Sequence, residues 1–328
     1  MIADSIVLDM SGVSVVLCAY TEDRCNDLEA AIGSLQCQHV PPHEIIVVIG
    51  HNSVLLQLST ANLTGIIVVE NTETPGLSGA RNCGIRIAQC DIIAFMDDDA
   101  IAAPDWLERL IAHYANPQVW GVGGAIELLW LSGKPTWFPE EFSWLVGCTY
   151  RGLSDATRPI RNLIGCIMSF RNIVFDQIAG FQSGIGRIST HPLGCDEPGL
   201  YIHLRQRWLE SILLYEPGAQ VLHRVPIARA NWRYIQERCS SEGLSKAAIS
   251  QRLGSKAGLV SERTYMLRTL PHGVARGLAD TLFRRQPAGL LRACAIVIGL
   301  GLTLAGYLTG TLTERFSTGH PAAEPSLT

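Results

Sequence analysis

The residues with the clearest chemical potential are three consecutive acids, Asp97, Asp98 and Asp99, at the end of the apolar run Ile92-Ile93-Ala94-Phe95-Met96. A short run rich in branched and aromatic side chains reads as a buried strand. Adjacent carboxylates at its end repel one another and gain nothing from packing; they make sense if something cationic sits there. Oxygen ligands on a hard divalent ion are the usual answer, and in open α/β sheets the ligand crevice lies at the carboxyl ends of the strands. The competing reading is a solvated acidic turn ahead of a helix at Pro104-Asp105-Trp106.

The elements that must position these acids follow from hydrophobic patterning. Val13–Tyr20 reads as a first buried strand ending in the polar turn Thr21-Glu22-Asp23-Arg24, and Leu28, Ile32 and Leu35 mark an amphipathic helix. Glu44–Ile49 and Gly65–Glu70 read as second and third strands, and Gly79–Ile85 opens a helix that leads to the acidic strand. Strands alternating with helices predict βαβ units and a mostly parallel sheet with flanking helices, and right-handed crossovers bring their carboxyl ends to one edge. Trp120–Ala125 and Gly165–Arg171 read as further strands, the latter running into a helix, and Tyr215–Arg224 as a turn and strand ending at His223. The stretch from Trp130 to Arg161 is rich in Trp, Phe and Pro. It suits either an acceptor region, where aromatic faces meet sugar rings, or the packing of an irregular insert.

A dinucleotide-binding oxidoreductase would place a G-x-G-x-x-G turn after the first strand, and here that turn contains no glycine. The order of motifs instead resembles the family 2 glycosyltransferases with the GT-A fold, in particular membrane-associated actinobacterial and archaeal-type members acting on lipid-linked or surface glycans. The motifs are a first strand with a Tyr–acid turn, then Gly76-Leu77-Ser78-Gly79-Ala80-Arg81-Asn82-Cys83-Gly84, then Phe95-Met96-Asp97-Asp98-Asp99, over roughly residues 13–225. The resemblance implies an inverting transferase that moves a sugar from a nucleoside-diphosphate sugar, a UDP-sugar by preference, to a hydroxyl of a lipid-linked or surface glycan. It implies that Asp97 and Asp99 hold a divalent cation, Mg²⁺ or Mn²⁺, with Asp99 as the direct ligand and Asp97 or Asp98 against the ribose. Arg81 would lie beside the base or diphosphate, and His223 would complete the metal's coordination or touch the diphosphate. In Cys195-Asp196-Glu197-Pro198-Gly199 the resemblance makes Glu197 the base that takes the acceptor hydroxyl's proton, with Asp196 beside it; acids that simply favour a helix dipole are the alternative. Family members usually carry an Asp at the end of the second strand to read the base, where this chain has Gly50, so base recognition falls to Tyr20, Asp23, Arg81 or backbone groups. Gly50, and Gly199 where a further acid is common, motivate an inactive nucleotide-sugar binder as an alternative, and a membrane scaffold is a second.

The 328 residues are 47% hydrophobic and 17% charged, with a mean hydropathy of +0.19. Ten scattered cysteines without a C-x-x-C pair suit a reducing cytoplasm and argue against a zinc ribbon or redox dithiol. The amino terminus has no basic region and no long apolar core, so no signal peptide is evident. Residues 229–292 carry twelve Lys/Arg against four Asp/Glu in a chain whose net charge is −4. That asymmetry suggests an anionic surface or substrate on this side, and no nucleic-acid module accompanies it. Leu267, Leu270, Val274, Leu278 and Leu282 form one stripe flanked by arginines, as in an interfacial helix on anionic lipid or a helix packed on the catalytic domain. The uncharged residues 293–313 are about long enough to span a bilayer, or form a second in-plane helix. The expected organisation is a catalytic domain over 1–228, a basic helical membrane-associating region over 229–313 and a disordered tail over 314–328, at the cytoplasmic face of the membrane as a peripheral protein or through a single carboxyl-terminal anchor.

Overall fold

Alternating burial on short branched runs builds a sheet with helices on both faces. The structure is a computed structural model that describes residues 12–178, 180–181, 200–201, 204, 207–208, 211–253 and 264–317. Nine strands form one sheet: β1 (Val13–Ala19), β2 (Glu44–Ile49), β3 (Ile67–Glu70), β4 (Ile92–Asp97), β5 (Ala100–Ala102), β6 (Val119–Trp130), β7 (Arg158–Pro159), β8 (Ile167–Arg171) and β9 (Ile212–Val225). Their order is β3-β2-β1-β4-β8-β6-β9-β5, with β7 on β9. The half from β3 to β4 is parallel, as the βαβ rhythm requires. Beyond β4 the sheet is mixed: β8 runs antiparallel to both β4 and β6, and β9 runs parallel to β6 but antiparallel to β5. The parallel order expected from the first half stops where crossover helices give way to the long aromatic insert.

Strand alternation divides the core. Val15 and Leu17 face a cluster with Leu28, Ile32 and Leu35 of α1 (Cys25–Gln36). Val16, Ile93 and Phe95 face the other side, against Ala80 and Cys83 of α3 (Leu77–Ile87) and Val174 of α5 (Ile173–Gln177). Helix α2 (Ser53–Asn62) precedes β3, and α4 (Trp106–Ala112) buries Trp106, Leu107 and Leu110. The aromatics of the 130–161 insert are used in packing. Phe138 and Phe142 are buried, Trp137 meets Trp232 edge-on, and Trp144 Nε1 donates to Tyr265 Oη at 2.8 Å.

Three long helices follow among the described residues: α6 (Trp232–Leu253), α7 (Leu270–Phe283) and α8 (Ala288–Ser317). By length and composition Ala288–Leu312 is apolar enough to cross a membrane, yet its glycines face protein. A Cβ on Gly306 would stand 2.2 Å from the Ser240 carbonyl oxygen of α6, and one on Gly289 would stand 2.3 Å from that of Gly277 in α7. Glycines that sequence alone reads as weakening these helices are therefore their contact surfaces. Leu270, Gly273, Gly277 and Asp280 form the buried side of α7, while Leu267, Leu278 and Leu282 of the apolar stripe are exposed. A Gly243→Leu substitution tests this contact, because its Cβ would lie 2.1 Å from the Thr303 carbonyl oxygen. We expect a loss of about 1 to 3 kcal/mol, the usual cost of overpacking, read as a lower melting temperature. An unchanged melting temperature would mean that α6 and α8 do not pack this closely.

Candidate active site

The carboxyl ends of β1, β2 and β4 meet at one edge, where β4 delivers Asp97 and the turn into β5 holds Asp98 and Asp99. Strand β5 is only three residues long, but it pairs with β9 so that Ala100 faces His223. This register brings Asp99 Oδ1 to 3.4 Å from His223 Nε2. Both side chains are almost fully buried, and so is Asp98. Arg24, in the turn after β1, donates through Nη1 to Asp98 Oδ1 at 2.9 Å and lies 3.2 Å from Asp99 Oδ2. Arg81 of α3 is buried, donates to the Gly165 carbonyl at 2.8 Å and lies 3.9 Å from Asp97 Oδ1.

The electrostatics of this edge call for a further cation. Three carboxylates face two guanidinium groups. Burial pulls His223 below the ordinary histidine range against the Asp99 and Asp97 charges, which favours the neutral imidazole. Its Nδ1 lies 3.1 Å from the Arg224 carbonyl oxygen. A carbonyl can only accept, so Nδ1 carries the proton and Nε2 presents a lone pair to Asp99. Two lone pairs facing each other in a buried site repel unless a positive charge lies beside them. Asp97, His223 and Cys166 supply side-chain ligand atoms within 4.8 Å of one another. A carboxylate and a neutral imidazole fixed by a backbone hydrogen bond can ligate a divalent ion, whereas a thiol that keeps its proton does not. Burial, followed by the Asp97 and Asp99 charges, pushes the Cys166 thiol well above its ordinary pKa. Burial likewise pushes Asp98 up to about 7 against the pull of Arg24, and among the described residues nothing donates to its Oδ2.

The structure therefore gathers Asp97, Asp98, Asp99, Arg81 and His223 at one edge. Tyr20 stands beside them, 62% exposed, with the Arg24 guanidinium 5.7 Å from its ring centroid. Asp23 sits in the exposed turn Glu22–Arg24 and forms no ion pair with these groups among the described residues. Asp196 and Glu197 lie outside the described residues. Sequence reasoning missed two members of the cluster, Arg24 and Cys166. Arg24 reaches the acids only because β1 and β4 are neighbours, which the sequence does not state, and Cys166 has no spacing signal.

The family model described as Glycosyl transferase family 2 matches residues 14–179, which take in the first strand, the Arg81 segment and all three acids. The chain belongs to glycosyl transferase family 2. It is 32% identical over 241 residues to the glucosyl-dolichyl phosphate glucuronosyltransferase of Haloferax volcanii, covering 72% of this chain and 77% of that protein. The glycosyltransferase AglE of the same organism is 30% identical over 128 residues, 37% of this chain and 41% of that one. Among solved structures, the fold is similar to the mannosyltransferase PcManGT from Pyrobaculum calidifontis in complex with GDP-Man and Mn2+, with a TM-score of 0.55 and 18% identity over 94% of this chain and 88% of that one. The expected GT-A architecture is present, and this family 2 protein is a glycosyltransferase.

Proposed function

We propose that this family 2 enzyme is a metal-dependent, inverting glycosyltransferase that takes a sugar from a nucleoside-diphosphate sugar, UDP in our reading, and passes it to a hydroxyl of a lipid-linked glycan at the membrane. The observation that carries the metal is the confrontation of Asp99 Oδ1 and His223 Nε2 at 3.4 Å, with Asp97 close by. Asp97, Asp99 and His223 would hold Mg²⁺ or Mn²⁺, and the ion supplies positive charge for the departing diphosphate. Arg81 and Arg24 keep the carboxylates oriented, and by family resemblance Asp97 or Asp98 contacts the ribose. By family resemblance, Glu197 takes the acceptor hydroxyl's proton. As that oxygen bonds to the anomeric carbon, the bond to the diphosphate breaks and its electron pair leaves with the nucleotide. One displacement inverts the carbon and needs no protein nucleophile.

The lipid-linked acceptor rests on the name of the Haloferax volcanii relative and on the outward face of α8, where Val297, Ile298, Leu304, Leu308 and Leu312 are exposed. Because α8 packs through its glycines on α6, which carries Glu237, Arg238, Glu242 and Lys246, burying α8 across a bilayer would drag those charges with it. We read α8 as lying in the plane of the cytoplasmic membrane surface.

A thermal-shift panel of UDP, GDP, TDP and CMP, each with and without Mn²⁺, tests the donor reading, because a ligand of the native state raises the melting temperature by mass action. A manganese-dependent rise with UDP is expected, and no rise with any nucleotide would sink it. Position 50 refines the prediction. Gly50 has an ordinary backbone, and a Cβ there would make van der Waals contact with Tyr20 Cβ at 3.4 Å, so Asp fits. Gly50→Asp should widen the gap between UDP and GDP by roughly tenfold in Kd, as one added base-reading hydrogen bond to a charged group would. An unchanged preference would remove position 50 from base recognition.

A further inference from the structure

Away from the sheet edge, a cavity of about 880 Å³ opens between the 130–161 insert and the α7–α8 turn. Its lining contains six cations, Lys134, Arg151, Arg276, Arg284, Arg285 and Arg292, against three acids. Each acid is already engaged. Glu140 accepts from Lys134 at 2.5 Å and pairs with Arg151 at 2.6 Å; Glu141 pairs with Arg276 at 2.5 Å; Asp280 pairs with Arg292 at 2.8 Å and Arg284 at 3.3 Å. Three positive charges remain in excess. Arg285 has no acidic partner among the described residues, and its backbone is strained at φ 54°. It follows the carboxyl end of α7, where Gln286 N–H donates back to the Asp280 carbonyl, in the left-handed position that glycine commonly fills after a helix. Glycine would sit there without strain; the chain places a cation instead.

Leu291 lines the cavity, and the chain on either side of its cationic turn is apolar. Leu282 and Phe283 end α7 with 73% and 83% of their surface exposed, and Leu290 and Leu291 open α8 about half exposed. A concentration of positive charge beside an unpartnered hydrocarbon surface fits one kind of ligand, an anion carried on a lipid. General attraction to an acidic membrane needs only surface charge, whereas here the cations come from the insert, α7, the turn and α8 and converge on one concave volume open to solvent. One short element also runs from the cavity to the active site. The short 3₁₀ helix Glu140–Val146 starts at the cavity and ends at Gly147, where a Cβ would lie 3.6 Å from His223 Nε2.

We propose that this cavity binds the phosphate group joining the acceptor glycan to its lipid carrier, with the hydrocarbon chain leaving over Leu282, Phe283 and the outward face of α8. The inference rests on the lipid-linked acceptor reading and gives that acceptor a place. The test is flotation of the full chain with vesicles of phosphatidylcholine that contain either phosphatidylglycerol or polyprenyl phosphate at matched surface charge. Wild type should bind the polyprenyl phosphate vesicles roughly tenfold more tightly. Arg151→Glu should bring that binding down to the phosphatidylglycerol level. Arg285→Gly should do the same while the melting temperature holds or rises, since glycine relieves the left-handed backbone, which separates lost binding from lost folding. Both variants should keep the manganese-dependent nucleotide shift. If wild type shows no preference for polyprenyl phosphate, bulk charge explains the cavity and the lipid-linked reading falls with the proposal. If wild type shows the preference and both variants retain it, the acceptor is lipid-linked but held elsewhere.

Discussion

Asp99→Ala and Asp97→Ala should each lower kcat/KM by on the order of 10³, the scale on which enzymes lose transition-state charge stabilisation. The expectation comes from where charge develops. A leaving diphosphate gains negative charge as the glycosidic bond breaks, and among the described residues His223 brings together the Asp97 ligand cluster and the Asp99 contact at this sheet edge. Removing Asp99 also removes the lone pair that opposes His223 Nε2. The fold should therefore survive while the manganese-dependent rise in melting temperature disappears. Transfer measured with a radiolabelled sugar nucleotide checks the first part and thermal shift the second. Activity within about tenfold of wild type in either variant would place the metal, or the need for one, elsewhere.

Arg24→Met should cost about 3 kcal/mol of stability in the metal-free protein, because breaking a buried ion pair leaves its partners uncompensated. Two buried carboxylates lose their nearest cation at once. The pH dependence carries the sign. Burial pushes the Asp98 carboxyl up from 3.8 to about 7, so the folded state holds a proton that the unfolded chain releases. Stability therefore falls as pH rises through that window and levels off above it. Without Arg24 the opposing pull is gone, the window extends upward, and the variant's deficit should grow with pH and close in acid. Chemical denaturation with a chelator present, below and above the window, measures both. A deficit independent of pH would mean that Arg24 acts through packing alone.

Much of the site could be read from the sequence because local chemistry announced it. Three acids after an apolar run have few structural uses, and the alternation of strands and helices put them at a sheet edge. Arg24 escaped because its role depends on β1 lying beside β4, and strand order is a long-range property that no window of sequence contains. Cys166 escaped for a related reason: β8 pairs antiparallel with β4, and that pairing alone brings residue 166 to Asp97. The three-residue β5 is too short to show a period, yet it sets the Asp99–His223 contact. Helix α8 shows the opposite failure. Its composition was plain, but hydropathy sums over all faces and cannot tell glycines turned toward protein from leucines turned outward.

That division of α8 into two independent faces makes the enzyme tractable as a reagent. The residues that hold the helix to its neighbours, Gly289, Ala293, Ile296, Gly299 and Gly306, are a different set from those it turns outward. Rewriting Val297, Leu304, Leu308 and Leu312 with charged side chains changes the second set and spares the first. Such a version is expected to need no detergent and to keep the sheet-edge site intact without cutting the chain.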